Sequence, residues 1–588
     1  MKRPLYLLAL MLLPCLASAQ HLDCATTLFS QPGIRFMHKL CTFPGDSLVE
    51  IKKLPSGLKY NKERHLVEGR LKEEGRYQYL VTLMHEEDLV TDTVHVTCSR
   101  TLQQPVPFMG WLSWNVVESE ISTDVVETVA DAFVNQGLLA SGYHYLVIDD
   151  YWHAPQRDSI THRPIEDPKK FPNGMKEASR AAHLAGLKFG IYSDAGEKTC
   201  AGMFGSFGYE SEDAQQYADW GVDLLKYDYC YAPTDRETAL ERYSAMGEAL
   251  KATGRPILYY MCEWGQRQPW LWAHQTGASC WRTTYDTRDG WEGTSGGVGI
   301  LQSIEGMKDI WKYSGVNRYN DADMLCVGIH GKGKSSSDLV KGKPGMTQDE
   351  YATQFALWCM WASPLTLSFD LRKTISEEDK AIICNPELIA INQDLMGLQA
   401  EFLYEQDSIQ VYMKELENGD VALAVVNLST AKQEHPISFN RIPALENDIP
   451  YYRKDLVHHC YLPECTNGFN TILRSHETGV YRLGVKGKKN SDSAPHHYST
   501  RFVEDKLIVD ILGGNDSDKR LVVTDLDGRI LDQADGKGQH FKFNLSSCKS
   551  AHCILTISCQ AQSKRLFLST EDLDRASQYD FDDPVEED

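Results

Sequence analysis

The chain has 588 residues, 42% apolar and 24% charged, and a formal net charge of −22. This is an ordinary globular composition with room for several domains. The acidic balance argues against nucleic acid and anionic membrane surfaces as partners, because phosphate contacts need clustered cations; a neutral or weakly charged ligand is easier to accept.

Residues 1–19 carry Lys2 and Arg3, an apolar run from Leu5 to Leu13, and Ala17-Ser18-Ala19, the three-part pattern of a cleaved secretory signal. The run is too short to span a bilayer as a helix, and no later segment is apolar enough to do so. Pro14 before Cys15 makes a poor lipid-attachment site. The expected location is secreted or periplasmic, with attachment at a cell surface left open. Losing Cys15 with the signal leaves an odd number of the 16 cysteines. An oxidising compartment then permits several disulfides and leaves at least one thiol unpaired within the chain. No Cys/His cluster has metal spacing, and Cys460 with Cys465 reads as a short loop disulfide rather than half of a zinc site.

Residues 20–104 hold short β-type runs at 48–51, 77–83 and 91–97 with Gly/Pro turns between them, the pattern of a small β-sandwich. From 105 to 395, buried strand-like runs alternate with amphipathic helical stretches. The strand candidates are 110–114, 145–150, 188–194, 224–228, 257–262, 280–283, 318–321 and 365–369. Eight β units over this length predict a (β/α)8 TIM barrel. An open doubly wound sheet is the alternative, without the glycine-rich phosphate turn of a dinucleotide site. Residues 396–487 return to alternating strands, such as 409–414 and 421–426, and predict a C-terminal antiparallel β domain. Residues 488–500 read as a polar linker, 501–570 as a small β module with a strand–turn–strand at 521–531, and 571–588 as a disordered acidic tail. The fold class is multidomain: an α/β barrel flanked by all-β units.

The barrel strands end in polar residues. In order these are Trp114, then Asp149 and Asp150, Tyr192 and Asp194, Lys226 and Asp228, Glu263, Arg282 with Asp286, and Asp321 with Asp323. In a barrel all of them converge on one rim. Any one Asp reads equally as a turn or cap residue, but carboxylates after consecutive β units, with aromatics beside them, form a pattern. Aromatic faces, carboxylates and a few cations are what a sugar needs: the ring's apolar face stacks and ionised acceptors hold the hydroxyls. A metal site is the rival reading. The tryptophans, Lys226 and Arg282 favour sugar, and this chemistry needs no cofactor and no metal.

The quoted text of the barrel resembles the α-galactosidases of glycoside hydrolase family 27. The similarity runs through Met109-Gly-Trp-Leu-Ser-Trp-Asn115, Tyr145-Leu-Val-Ile-Asp-Asp-Tyr-Trp152, Asp167-Pro-Lys-Lys-Phe-Pro-Asn-Gly174 and the stretch from Gly186 to Asp228. It continues in Cys262-Glu-Trp-Gly265, Trp281-Arg-Thr-Thr-Tyr-Asp286 and Asn320-Asp-Ala-Asp-Met324. The resemblance implies a retaining mechanism with Asp228 as nucleophile and Asp286 as general acid/base, their carboxyl groups about 5–5.5 Å apart. Asp228 is then expected to be ionised beside Lys226, and Asp286 to hold a proton. By the same resemblance Asp149 and Asp150 hold the O4 and O6 hydroxyls, and Trp114 stacks on the ring. Tyr192, Lys226, Arg282 and Asp323 hold other hydroxyls or order the carboxylates. Glu263 and Trp264 lie where the family reads the 2-position, and their size favours a plain hydroxyl over an N-acetyl group. Cys200 with Cys230, and Cys262 with Cys280, match family disulfides.

The chain also departs from the family. Tyr151 stands where many members have Cys, Tyr285 and His330 replace smaller residues, and 331–345 looks like an insertion. All fall on the leaving-group side and leave the aglycone open. Residues 54–80 resemble immunoglobulin-like modules of secreted bacterial glycosidases, and 501–570 resembles C-terminal β modules of secreted bacterial proteins. The expected function is a secreted retaining exo-α-galactosidase acting on a carbohydrate with terminal α-galactose. The alternatives are an α-N-acetylgalactosaminidase, a β-L-arabinopyranosidase, or a catalytically silent glycan-binding protein. The sequence fixes no oligomeric state.

Overall fold

The structure is a computed structural model that describes residues 20–293, 297–334 and 344–485, and most of 497–569. The expected signal at 1–19 and the acidic tail at 571–588 lie outside the described residues.

The centre is a parallel eight-stranded barrel. Its strands are β1 (Met109–Leu112), β2 (Tyr145–Val147), β3 (Lys188–Asp194), β4 (Leu224–Asp228), β5 (Leu258–Met261), β6 (Cys280–Arg282), β7 (Tyr319–Asp321) and β8 (Leu365–Leu367). They pair in sequence order from β1 to β7, β8 returns beside β1, and a parallel bridge from Leu325 to Leu367 closes the ring. The strands are buried on both faces, which is why they read as near-continuous apolar runs. Leu112, Tyr145, Val147, Leu224, Leu258, Tyr260, Cys280 and Tyr319 fill the interior. The helices cover the outside with Ala, Met and aromatic side chains.

Local signals set where each crossover ends. Helix α1 (Thr123–Asn135) starts at Ser122, whose Oγ accepts from Val125 N. The helix Glu210–Trp220 stops at Gly221, whose φ of 82° turns the chain into β4. The helix Gln348–Met360 opens on a capping box between Thr347 and Glu350. The crossover from β5 to β6 departs from the pattern, with two short 3-10 turns in place of an α-helix.

Before the barrel lie two sheets. One orders Thr27–Ser30, Asp88–Cys98, Gly75–His85 and Ser47–Lys52; the other holds Arg35–Lys39, Leu66–Arg70 and Leu58–Asn61. They enclose a core of Leu28, Phe36, Val67, Tyr79, Val81 and Val94. This unit is tied to the barrel by Asp23, which accepts from Lys312 and, at 2.6 Å, from Tyr313 Oη. After the barrel comes a six-stranded antiparallel sheet that includes Ile409–Glu415, Val421–Asn427 and Thr478–Val485. One of its faces, with Tyr412, Ala422, Ala424 and Val480, packs on the barrel helices. The other, with Val411, Leu423 and Leu483, forms a separate core.

Three expectations need correction. The linker expected at 488–500 falls outside the described residues as far as 496, but its last four residues open the strand His497–Val503 of the final β module. Cys460 and Cys465 form no disulfide: they are the two ends of one strand, roughly 16 Å apart at the usual rise. Cys262 and Cys280 are both free. Cys280 is the register partner of Tyr260, so Cys262 lies two steps further along, at roughly 8 Å between Cα atoms, beyond the reach of a disulfide.

Candidate active site

The carboxyl ends of the barrel strands place most of the expected residues on one rim. Parallel register sets Tyr192 beside Lys226, Asp194 beside Asp228, and Arg282 beside Asp321. Asp228 ends β4 and is only 5% exposed. Its Oδ2 accepts from Tyr192 Oη at 2.9 Å and its Oδ1 from the Tyr229 N–H at 2.9 Å. The Cys200–Cys230 disulfide forms and brings Cys200 Sγ to 3.9 Å from Asp228 Oδ2.

Asp286 sits further out, with 37% of its side chain exposed. Arg282 Nη2 approaches its Oδ1 at 3.2 Å and Arg288 Nη2 its Oδ2 at 3.6 Å. Arg282 also faces Asp323 Oδ1 at 3.0 Å. That contact is an ion pair without a well-directed hydrogen bond, so Asp323 Oδ1 and Arg282 Nε are buried polar atoms left without hydrogen-bond partners. Asp323 Oδ2 accepts from the Thr287 N–H at 2.6 Å, which ties the Asp286 loop to β7.

Asp149 and Asp150 follow β2 and are buried. Lys226 Nζ donates to Asp149 Oδ2 at 2.7 Å, and Ser113 Oγ accepts from the Asp149 N–H at 2.9 Å. Asp150 accepts from the N–H groups of Tyr151 at 2.7 Å and Ala201 at 3.0 Å. Trp114 rests on the interior cluster, with its ring stacked on Tyr151 at 6.0 Å and an interplanar angle of 12°. Glu263 is fully buried and turned to Arg267: its carboxylate accepts the Arg267 N–H and Nη1, the latter at 2.6 Å. It is committed to that ion pair and orders the loop rather than offering a free carboxylate. Trp264 follows it in the left-handed region, with φ 59°.

The electrostatics differ from the expectation. Burial pushes the Asp228 carboxyl up to about 7; the charge on Asp286 adds to this, and Lys226 opposes it. Burial would also raise Asp286, but Arg282 and Arg288 outweigh it and hold it below the ordinary carboxylate range. Burial raises Asp194 as well, with Asp228 as its charged neighbour, and lifts Asp150 and Asp321 to about 6. For Lys226, burial works against the charge, yet Asp149 keeps it firmly protonated.

Sequence reasoning missed Arg288, Arg267 and the role of Asp194. Arg288 sits two residues after Asp286, a cue the spacing offered. Arg267 follows Glu263 at i+4, the spacing of an ion pair. Asp194 Oδ2 accepts from the Cys230 N–H at 2.9 Å, so it holds the loop after the expected nucleophile. Asp194, Asp228, Cys200 and Cys230 lie close enough to hold a metal ion, but both sulfurs are spent in the disulfide. A separate cavity, lined by Phe36, Trp311, Arg318 and Met413, lies where the N-terminal sheets meet the barrel and the following sheet; it includes none of these carboxylates.

Comparison with known proteins adds the following. The α-galactosidase A family profile matches residues 106–394, and the profile of the α-galactosidase C-terminal β-sandwich domain matches 406–483. An α-galactosidase A of Cellvibrio japonicus is 40% identical over 326 residues, which cover 55% of this chain and 76% of that protein. A Bacteroides fragilis structure described as an α-galactosidase/melibiase is similar with TM-score 0.62 and 35% identity, over 79% of this chain and 97% of that one. The Saccharomyces cerevisiae α-galactosidase solved with raffinose is similar with TM-score 0.59 and 27% identity, over 65% of this chain and 98% of that one.

Proposed function

The chain belongs to the α-galactosidase family of glycoside hydrolases, and we propose that it is an exported, retaining exo-enzyme that removes terminal α-D-galactose from saccharides. The observation that carries this is the pair Asp228 and Asp286: two carboxylates at one rim, one buried and one open, each held by different partners.

In the first step an Asp228 carboxylate oxygen attacks the anomeric carbon. The glycosidic bond breaks, and the departing oxygen takes the proton of Asp286. In the second, Asp286 accepts a proton from water, whose oxygen displaces Asp228 and restores the anomeric configuration. One proton must therefore reside on the pair. In the free enzyme Asp228 binds it more strongly. A substrate seated against the open side of Asp286 excludes water there and raises its affinity for the proton, which moves the pair toward the reactive form. Asp149, fixed by Lys226, and Asp150, fixed by backbone N–H groups, form the acceptor wall for O4 and O6. A rigid carboxylate there rejects the wrong epimer by leaving a partner unpaired. Trp114 supplies the stacking face, and Asp323, paired with Arg282, orders the loop that carries Asp286.

Export rests on the signal-like pattern of 1–19. The N-terminal sheets are read as an immunoglobulin-like module that braces the barrel. In support, Asp23 of this unit pairs with Lys312 of the barrel.

The test is turnover of the 4-nitrophenyl α-galactoside, α-N-acetylgalactosaminide and β-L-arabinopyranoside, with proton NMR of the first galactose released. Preferred cleavage of the α-galactoside with α-galactose appearing first is expected. The β-anomer appearing first, or preference for either other glycoside, refutes the reading.

A further inference from the structure

Outside the galactosyl wall the rim carries two tyrosines that the two steps above do not use. Tyr231, three residues after Asp228, is 77% exposed, and Tyr285, immediately before Asp286, is 53% exposed. Ile160, Tyr461 and Leu89 are also open, but these two lie in the loops that follow β4 and β6, beside the reacting carboxylates in the chain.

Both rings are held in place by their hydroxyls. Tyr231 Oη donates to the Cys200 carbonyl at 3.2 Å, and Cys200 is bonded through sulfur to Cys230. Gln266 Nε2 donates to Tyr285 Oη at 2.5 Å. Tyr231 also takes φ 54°, a left-handed conformation unfavourable for an aromatic residue. A tyrosine fixed at its hydroxyl and bare on its ring has already lost much of its rotamer freedom, so it can stack on a ligand at little further entropic cost.

Exposure also sets a direction. It rises from Asp228, through Asp286, to the two tyrosines. A galactoside entering by its non-reducing end would follow the same order: galactosyl ring at Asp228, bridging oxygen at Asp286, aglycone beyond. We propose that Tyr231 and Tyr285 form a leaving-group subsite that takes a second sugar unit by stacking on its apolar face, so that the preferred substrates carry a saccharide aglycone. Phenol rings with the Gln266 amide beside them suit a saccharide better than an acyl chain, which would need an unbroken apolar groove. The proposal rests on the α-galactosidase reading above.

The experiment compares kcat/KM of the full-length wild type with that of Tyr231→Ala, Tyr285→Ala and the double variant on two substrates. One is α-galactosyl fluoride, whose leaving group is a single atom; the other is an α-1,6-linked galactosyl-glucose disaccharide. The double variant is expected to lose roughly tenfold or more on the disaccharide and less than about twofold on the fluoride. The fluoride rate also reports that each variant is folded. Equal losses on both substrates, or no loss on the disaccharide, overturn the subsite alone, as does a wild type that cleaves the fluoride but not the disaccharide. A wild type that cleaves neither overturns the parent reading and the subsite with it.

Discussion

Lys226 gives its ammonium to Asp149 at 2.7 Å and not to Asp228, two residues along the same strand. Among the described residues no cation forms an ion pair with Asp228; its partners are the Tyr192 hydroxyl and the Tyr229 N–H. The proposed nucleophile is thus held by neutral donors in a buried place, which explains why its carboxyl is pushed up to about 7. Arg288 lies instead against the proposed acid, Asp286, and Arg282 is shared between Asp286 and Asp323.

The rate should follow the singly protonated pair. That form exists between the Asp286 value, held below the ordinary carboxylate range, and the Asp228 value of about 7. Above about 7 both groups are charged and no proton remains for the leaving oxygen; at low pH both are protonated and no nucleophile remains. kcat/KM against pH is expected to be bell-shaped, with its alkaline limb near 7. Arg288→Gln weakens the hold on Asp286 and should move the acid limb upward. An acid limb that stays in place speaks against this electrostatic role.

Stability should fall as pH rises through the same region. Asp150 and Asp321 at about 6, and Asp228 at about 7, bind protons more tightly when folded than in an unfolded chain, where an aspartate sits near about 3.9. Their contribution is present in full below about 4 and is lost as pH rises through 6 to 7. Asp228→Asn removes one of these groups. Its melting temperature is expected to drop less than that of the wild type between pH 5 and pH 8, while turnover is lost. Equal drops for the two proteins contradict the assignment of a raised carboxyl to Asp228.

The Asp149–Lys226 pair is buried on both sides. Removing one partner strands the other charge, so Asp149→Ala is expected to cost about 3–5 kcal/mol of stability, measured by denaturant unfolding. The double change Asp149→Asn with Lys226→Met should recover most of that stability and none of the activity. Recovery of activity would mean that the pair is structural and does not read the substrate.

The Cys200–Cys230 disulfide closes a loop of 30 residues against Asp228. Loop-closure entropy puts its contribution at about 3–4 kcal/mol. Cys230→Ser is expected to lower the melting temperature and also to reduce kcat, because the sulfur bridge lies at the nucleophile. Full activity in a destabilised variant would limit its role to stability.

Much of this was legible in the sequence. Each barrel strand was a short apolar run ended by a polar residue, and buried parallel strands leave that trace. Asp149, Lys226, Asp228, Arg282 and Asp323 therefore fell on one rim by topology alone. Pairings between strands were not legible, because they depend on register. Lys226 serves Asp149 because β2 and β4 both flank β3, which no spacing along the chain reveals. Glu263 was legible as a strand-end carboxylate and, by resemblance, as a residue at the 2-position, but its ion pair with Arg267 came only with the folded loop. The Cys262–Cys280 disulfide failed on a two-residue stagger that only pairing could expose.

The most direct test is to trap the glycosyl-enzyme with an activated fluorinated galactoside and locate the label by peptide mass mapping. The account predicts one galactosyl adduct, on the Asp228 carboxylate, formed by the wild type and absent from Asp228→Asn. A label on another carboxylate, or its persistence in Asp228→Asn, would contradict it.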